Sequence, residues 1–244
     1  MATVTEIAPD VFRLTAFNEA ANFQFSSFLV KDDEPLLYHT NLRGFFPNII
    51  DAASRVLDPA TIRWIGFSHF ESDECGSLND WLAQAPHAEP VCSFVGARTS
   101  VGDFSDRPPR VLGADETLET GSHKYRLIET KHLPHCWDAS MMFDEAGRTL
   151  FCSDLFGPGG DVAPLIHDGL IDLTTEYNKA QQQGPMSRSV PITAETRPIL
   201  EGLADLAPTT LACMHGSSFS GDGGMALRDL ADLFDEISKQ GIQS

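Results

Sequence analysis

Between Ser68 and Leu78 the chain reads SHFESDECGSL, and five side chains able to bind a metal, His69, Glu71, Asp73, Glu74 and Cys75, fall within seven positions. Adjacent carboxylates repel one another and resist desolvation, so a stretch of this kind suits a site where divalent ions supply the compensation. His69, Glu71 and Asp73 alternate, which lets an extended or looped segment send all three to one side. The competing reading is a solvated acidic turn ahead of a helix, whose N-terminus also favours carboxylates. His69, Asp154 and His215 each follow an apolar strand, where ligands converge on one sheet edge, and His135 in HLPHCWDASMMF precedes a strand from the other direction.

The elements that must present these groups are legible in outline. Residues 11–17, 23–30 and 35–40 read as short strands, the last two joined by the turn KDDE. FPNIIDAASRVLD has helical spacing, and TIRWIGFSH is a compact apolar strand ending on His69. GSLNDWLAQA is a helix, with Ser77 or Asn79 near its start and Pro86 just past its end. Strands follow near 90–95, 124–130 and 140–143, and DEAGRT turns the chain into LFCSD, with Asp154 at that strand's end. The Gly/Pro-rich loop GPGGDVAP leads to helices around 171–183 and 194–206, then to strand TTLACMH closing on His215 and a last helix over 225–239. Strands then a helix, followed by strands then helices, predict two sheets packed together with helices outside.

With 244 residues, 42% of them hydrophobic, the chain can bury a full core, and no repeat or composition break divides it, so one domain over 1–244 is expected. Its formal charge of −18, without a local Lys/Arg cluster, excludes nucleic acid and anionic membrane as expected partners. The cysteines are odd in number and form no C-x-x-C, which points to a reducing compartment rather than a disulfide framework. No leader pattern and no run of roughly eighteen apolar residues is present, so a cytoplasmic protein is expected.

The order His-x-Glu-x-Asp, then His135, then Asp154 after 18 intervening residues and His215 after 60 more, resembles the diiron domain of flavodiiron proteins, a branch of the metallo-β-lactamase superfamily. LPHCWDASM and LFCSDLFG are similar to that family's sequences around its third-segment histidine and its bridging aspartate. The resemblance covers nearly the whole chain and implies an α/β fold, the αββα four-layer sandwich of two mixed sheets with helices outside. It implies two iron ions, Fe2+ or Fe3+, with an oxo, hydroxo or peroxo bridge. His69, Glu71, His135 and Asp154 would hold one iron, and Asp73, Asp154 and His215 the other, with Asp154 bridging. The superfamily's hydrolases have a second histidine where Glu71 stands, which makes a zinc site that activates water. A carboxylate-rich set suits iron or manganese, so binding of dioxygen, with its reduction or sensing, is expected. A metal-dependent hydrolase of lactones, thioesters or phosphodiesters is the second reading.

Two departures matter. The position after Asp73, usually histidine in that family, holds Glu74, a candidate catalytic residue that ligates the second iron, swings in only when the site is oxidised, or forms a salt bridge and ligates nothing. The complete enzymes carry a flavodoxin-like domain with FMN, and this chain is expected to have neither. It then resembles the family's stand-alone oxygen-binding diiron proteins and needs an external electron donor or a signalling partner. Head-to-tail homodimers in the family bring one chain's flavin to the other's irons; that reason is missing here, and a homodimer is left open. Tyr177 in TTEYNKA falls where the relatives have a tyrosine near the metals, so a catalytic phenol there stands beside the plainer reading of a half-buried helix residue. Trp137 and Phe156 are expected to wall the pocket, and Cys75, Cys136 and Cys213 to pack in the core. His39 is read as a capping or exposed residue, His132 as surface or supporting, and His87, His123 and His167 as surface residues.

Overall fold

Period-two alternation within the strands decides the layering of the computed structural model, which describes residues 1–113 and 116–241. The first sheet runs in the order β1 (Thr3–Ala8), β2 (Val11–Asn18), β3 (Phe23–Val30), β4 (Leu36–Tyr38), β5 (Trp64–Gly66), β6 (Glu89–Cys92) and β7 (Arg110–Val111). The second runs β12 (Leu165–Ile166), β14 (Ser218–Ser220), β13 (Thr210–Ala212), β11 (Thr149–Phe151), β10 (Ser140–Asp144), β9 (Lys124–Glu129) and β8 (Thr117–Glu119). Both are mixed: β1 to β4 form an antiparallel meander that continues in parallel through β7. In the second sheet, β11 and β13 pair in parallel beside antiparallel neighbours.

On β3 and β4, Phe28, Val30, Leu36 and Tyr38 face the second sheet and meet Tyr125, Met142 and Phe151. The rings of Phe28 and Phe151 cross edge to face at 5.7 Å. The intervening Leu29 and Leu37 point the other way, into Ile49, Ala52 and Trp81 of the helices Phe46–Ser54 and Leu78–Gln84. On the far side Met141, Phe143, Leu150 and Leu211 pack beneath Leu200, Leu203, Leu227 and Leu230 of the helices Thr196–Asp205 and Gly223–Gly241. Three cores therefore separate four layers, helix, sheet, sheet and helix, as the sequence implied. Each fully buried leucine contributes about 1.5–3 kcal/mol.

Some elements differ from expectation. The strand expected near 90–95 stops at Cys92, because the Ser93 hydroxyl accepts the Gly96 N–H at 3.1 Å and starts a helical segment. TIRWIGFSH contributes only Trp64–Gly66 and LFCSD only Thr149–Phe151. β1 and the two- and three-residue strands β7, β8, β12 and β14 were not anticipated. Among the described residues no helix is long and apolar enough to cross a membrane.

Candidate metal centre

Strand polarity gathers the candidate ligands at one edge. Asp154 and His215 each lie three residues beyond parallel partners, β11 and β13, so they leave the second sheet side by side. β10 runs antiparallel to β11, which brings the loop carrying His135 in at the same edge. The Ser140 N–H then donates to the Ser68 carbonyl at 2.8 Å and ties His69, three residues past β5, to that loop. After His69 the chain bends, and Glu71 precedes a single helical turn, Ser72–Cys75, that carries Asp73 and Glu74. The expectation that His69, Glu71 and Asp73 share one side is corrected by this turn. Glu71 Oε1 lies 3.5 Å from His135 Nε2, whereas Asp73 Oδ2 lies 3.3 Å from His215 Nε2.

Asp154 stands between the two sides. Its Oδ2 is 3.6 Å from His69 Nε2 and 3.4 Å from His135 Nε2, and its Oδ1 is 3.4 Å from His215 Nε2. These separations exceed ordinary hydrogen bonds. His69 Nε2, both ring nitrogens of His135, Asp154 Oδ1 and both carboxylate oxygens of Glu74 are buried without a hydrogen-bond partner among the described residues. Each such atom costs about 1–3 kcal/mol or more if left unmet. Ligand atoms of His69, Glu71, His135 and Cys136 lie mutually within 4.8 Å, as do those of His69, Glu74 and Asp154, and those of Asp73, Glu74 and His215. The donor set and its unmet lone pairs fit two divalent metal ions, one on each side of Asp154.

The surrounding charges agree with that reading. Burial works against a charged imidazole at His135 and His215, yet Glu71 and Asp154 at the first, and Asp73 and Asp154 at the second, outweigh it and raise both. Burial prevails at His69 and lowers it. His135 holds Glu71 below the usual carboxylate range, and at Asp73 burial is outweighed by His215. Glu74 is pushed well above that range by burial and then by Asp154 and Asp73.

Neighbouring groups fix the rings. His215 Nδ1 donates to the Gln24 carbonyl at 2.8 Å, which leaves the Nε2 lone pair for a metal. His69 Nδ1 lies 2.9 Å from Ser68 Oγ, itself 2.8 Å from Ser153 Oγ and 3.0 Å from His39 Nε2. Arg13, buried and lowered to about 10 by that burial, donates to the carbonyls of Gly216 and Pro164 and anchors the loop after His215. Gly216 has φ +67°, and a Cβ there would meet Pro158 Cδ at 2.2 Å, so only glycine fits.

Several expectations for other residues need correction. His39 is wholly buried behind His69, because its ring completes the hydroxyl network rather than capping a strand. His123 is buried against Asp144 at 2.7 Å, not on the surface. Cys136 is half-buried with Sγ 3.5 Å from Glu71 Oε1, because a positive φ of 62° turns it out of the core. Trp137 is 62% exposed, and Phe156 is buried in the core beneath the helices, so neither walls the cavity. Cys75 and Cys213 are buried as expected, and His87, His132 and His167 are exposed.

A cavity of about 170 Å³ opens onto Glu71, Asp73, His135, Asp154 and His215. Its outer wall is Tyr177, Gln181, Met186, Arg188 and Val190. Tyr177, on the helix Leu170–Gln181, accepts from Gln181 Nε2 at 2.6 Å. Met186, Arg188 and Val190 come from an irregular connection with no periodic signal, which is why sequence reasoning missed them.

Two helix-covered mixed sheets with a two-sided cluster of imidazoles and carboxylates at one edge define a metallo-β-lactamase-like domain of the flavodiiron type. Residues 23–216 match the family model described as ODP family beta lactamase, and the chain belongs to that family. It is 25% identical over 174 residues to the anaerobic nitric oxide reductase flavorubredoxin of Salmonella arizonae, covering 70% of this chain and 36% of that protein. The fold matches rubredoxin oxygen:oxidoreductase from Desulfovibrio gigas with TM-score 0.78 at 20% identity, over 96% of this chain and 61% of that one. It matches the flavodiiron protein from Giardia intestinalis with TM-score 0.79 at 17% identity, over 98% of this chain and 60% of that one. The chain thus spans 36% of the length of its flavorubredoxin relative.

Proposed function

We propose that this chain is a single non-haem diiron domain that binds dioxygen and either reduces it or reports it. The observation that carries the reading is Asp154, whose carboxylate oxygens lie within 3.6 Å of His69, His135 and His215, while His69 Nε2, His135 Nε2 and Asp154 Oδ1 are buried without a hydrogen-bond partner among the described residues. His69, Glu71, His135 and Asp154 would hold one iron, and Asp73, Asp154 and His215 the other. Iron in these positions would supply one-electron chemistry toward a diatomic ligand.

The chain's own residues do the rest. Gln24 and Ser68 fix the imidazole orientations of His215 and His69. The Tyr177 phenol lines the cavity, where it positions a proton for reduced ligand, and Gln181 orients it. The names of the two reductase relatives, one for nitric oxide and one for oxygen, support a small gas as the ligand class. Glu71, in place of an imidazole, speaks against a hydrolytic zinc site. A cytoplasmic setting is part of the proposal, supported by five unpaired cysteines.

Anaerobic loading with ferrous ion should give two irons per chain, and admission of air a new visible charge-transfer band. Tight zinc binding with no oxygen-dependent spectrum would overturn the reading. An oxidised spectrum that persists for many minutes without a donor marks a reporter; rapid consumption of dioxygen with a donor marks a reductase.

A further inference from the structure

Glu74 has no part in the ligand set above, yet its side chain is poorly accommodated by the protein around it. It is wholly buried, and neither carboxylate oxygen has a hydrogen-bond partner among the described residues. Its main chain is pinned, since the Glu74 carbonyl accepts both the Thr40 N–H at 2.6 Å and the Thr40 hydroxyl at 3.2 Å. The side chain thus projects from a fixed point on the helical turn Ser72–Cys75. Oε2 lies 3.8 Å from His69 Nε2, the one ion-pairing neighbour of Glu74 among the described residues. An ionised carboxylate there finds no donor among the described residues, so its charge is not satisfied by protein alone.

The carboxylate also has a distinctive place. It belongs to one triad with His69 and Asp154 and to another with Asp73 and His215, and these triads lie on the two sides that Asp154 divides. We propose that Glu74 would serve, with Asp154, as a second carboxylate shared by both metal positions; this rests on the diiron reading above. Charge agrees with the geometry. Glu71, Asp73, Glu74 and Asp154 bring four negative charges against the four positive charges of two divalent ions, so the buried site is neutral only when Glu74 takes part. An oxygen-rich second side also selects iron or manganese over zinc.

The test uses the full chain with ferrous ion as probe. Glu74→Gln and Glu74→Ala are expected to bind the second ferrous ion at least about tenfold more weakly than wild type in anaerobic titration, with an altered Mössbauer spectrum. Both variants filling with two irons at wild-type affinity and with wild-type Mössbauer parameters would overturn the proposal. Wild type failing to take up two ions defeats the diiron reading itself, a separate result. A crystal structure of iron-loaded wild type needs no variant to fold. A Glu74 oxygen bonded to each ion supports the bridge, and bonding to one ion or none overturns it.

Discussion

Strand β10 has a cluster of histidine and carboxylate at each end, and the two are bonded in opposite ways. Beyond Asp144, the carboxylate of that residue takes His123 Nδ1 at 2.7 Å and the N–H groups of Ala146 and Gly147 at 3.1 and 3.0 Å. Nearby, Asp32 takes the Thr120 hydroxyl at 2.6 Å and the N–H groups of Ser122 and His123 at 2.9 and 3.0 Å. Burial works against ionised Asp32, but these donors outweigh it and hold the carboxyl well below its usual range. The backbone wraps so closely that a Cβ on Gly147 would meet Asp144 Oδ2 at 2.3 Å, and one on Gly121 would meet Asp32 Oδ1 at 2.4 Å. Beyond Ser140, at the opposite end, His69, Glu74, His135 and Asp154 have the same chemical groups and keep buried atoms unpaired. The first cluster is complete as protein, because turns bring main-chain donors to it; the second leaves buried polar atoms without a partner among the described residues.

Removing Asp154 tests the difference most severely. Asp154→Ala should abolish two-metal loading, read as iron per chain after anaerobic reconstitution, while the metal-free variant melts no lower than wild type because an unpaired buried group is gone. Asp144→Ala should do the reverse, lowering stability by about 3 kcal/mol in urea titration with two irons still bound. A loss of metal with Asp144→Ala would show that the two ends are coupled through β10. Ser68→Ala should weaken metal binding about 10- to 100-fold by freeing the His69 ring, with a smaller change in the melting of metal-free protein.

The smallest effect concerns pH. The Asp144 hydrogen bond, working against burial, raises His123 above its ordinary 6.5. A raised histidine contributes stability that is fully present below its unfolded value and is lost as pH rises through its folded value. The stability gap between wild type and His123→Gln should therefore be widest in mildly acidic solution and shrink by under about 1 kcal/mol above that window, by urea titration at several pH values. A gap that widens with pH would contradict the pairing.

Much of the site was legible because metal-ligand chemistry resides in residue type. His69, Glu71, Asp73, His135, Asp154 and His215 were all singled out before any geometry, and all six converge on one sheet edge. The histidines were harder. His39 and His123 have no local pattern that separates burial from exposure; their partners Ser68 and Asp144 stand 29 and 21 residues away. Cys136 depended on a single positive φ, and the cavity's outer wall on an aperiodic connection.

By itself the sequence determined the layers and the candidate ligands, since alternation of apolar residues sets which face of each strand is buried and residue type sets which atoms can bind a cation. Only the tertiary structure decided which contacts put each of them in its place. The helical turn after Glu71 parts Asp73 from its neighbours, the parallel pairing of β11 and β13 places Asp154 beside His215, and the Thr40 contacts anchor the main chain at Glu74. Each of these depends on backbone direction and on contacts between segments distant in the chain, which no local pattern of residues encodes.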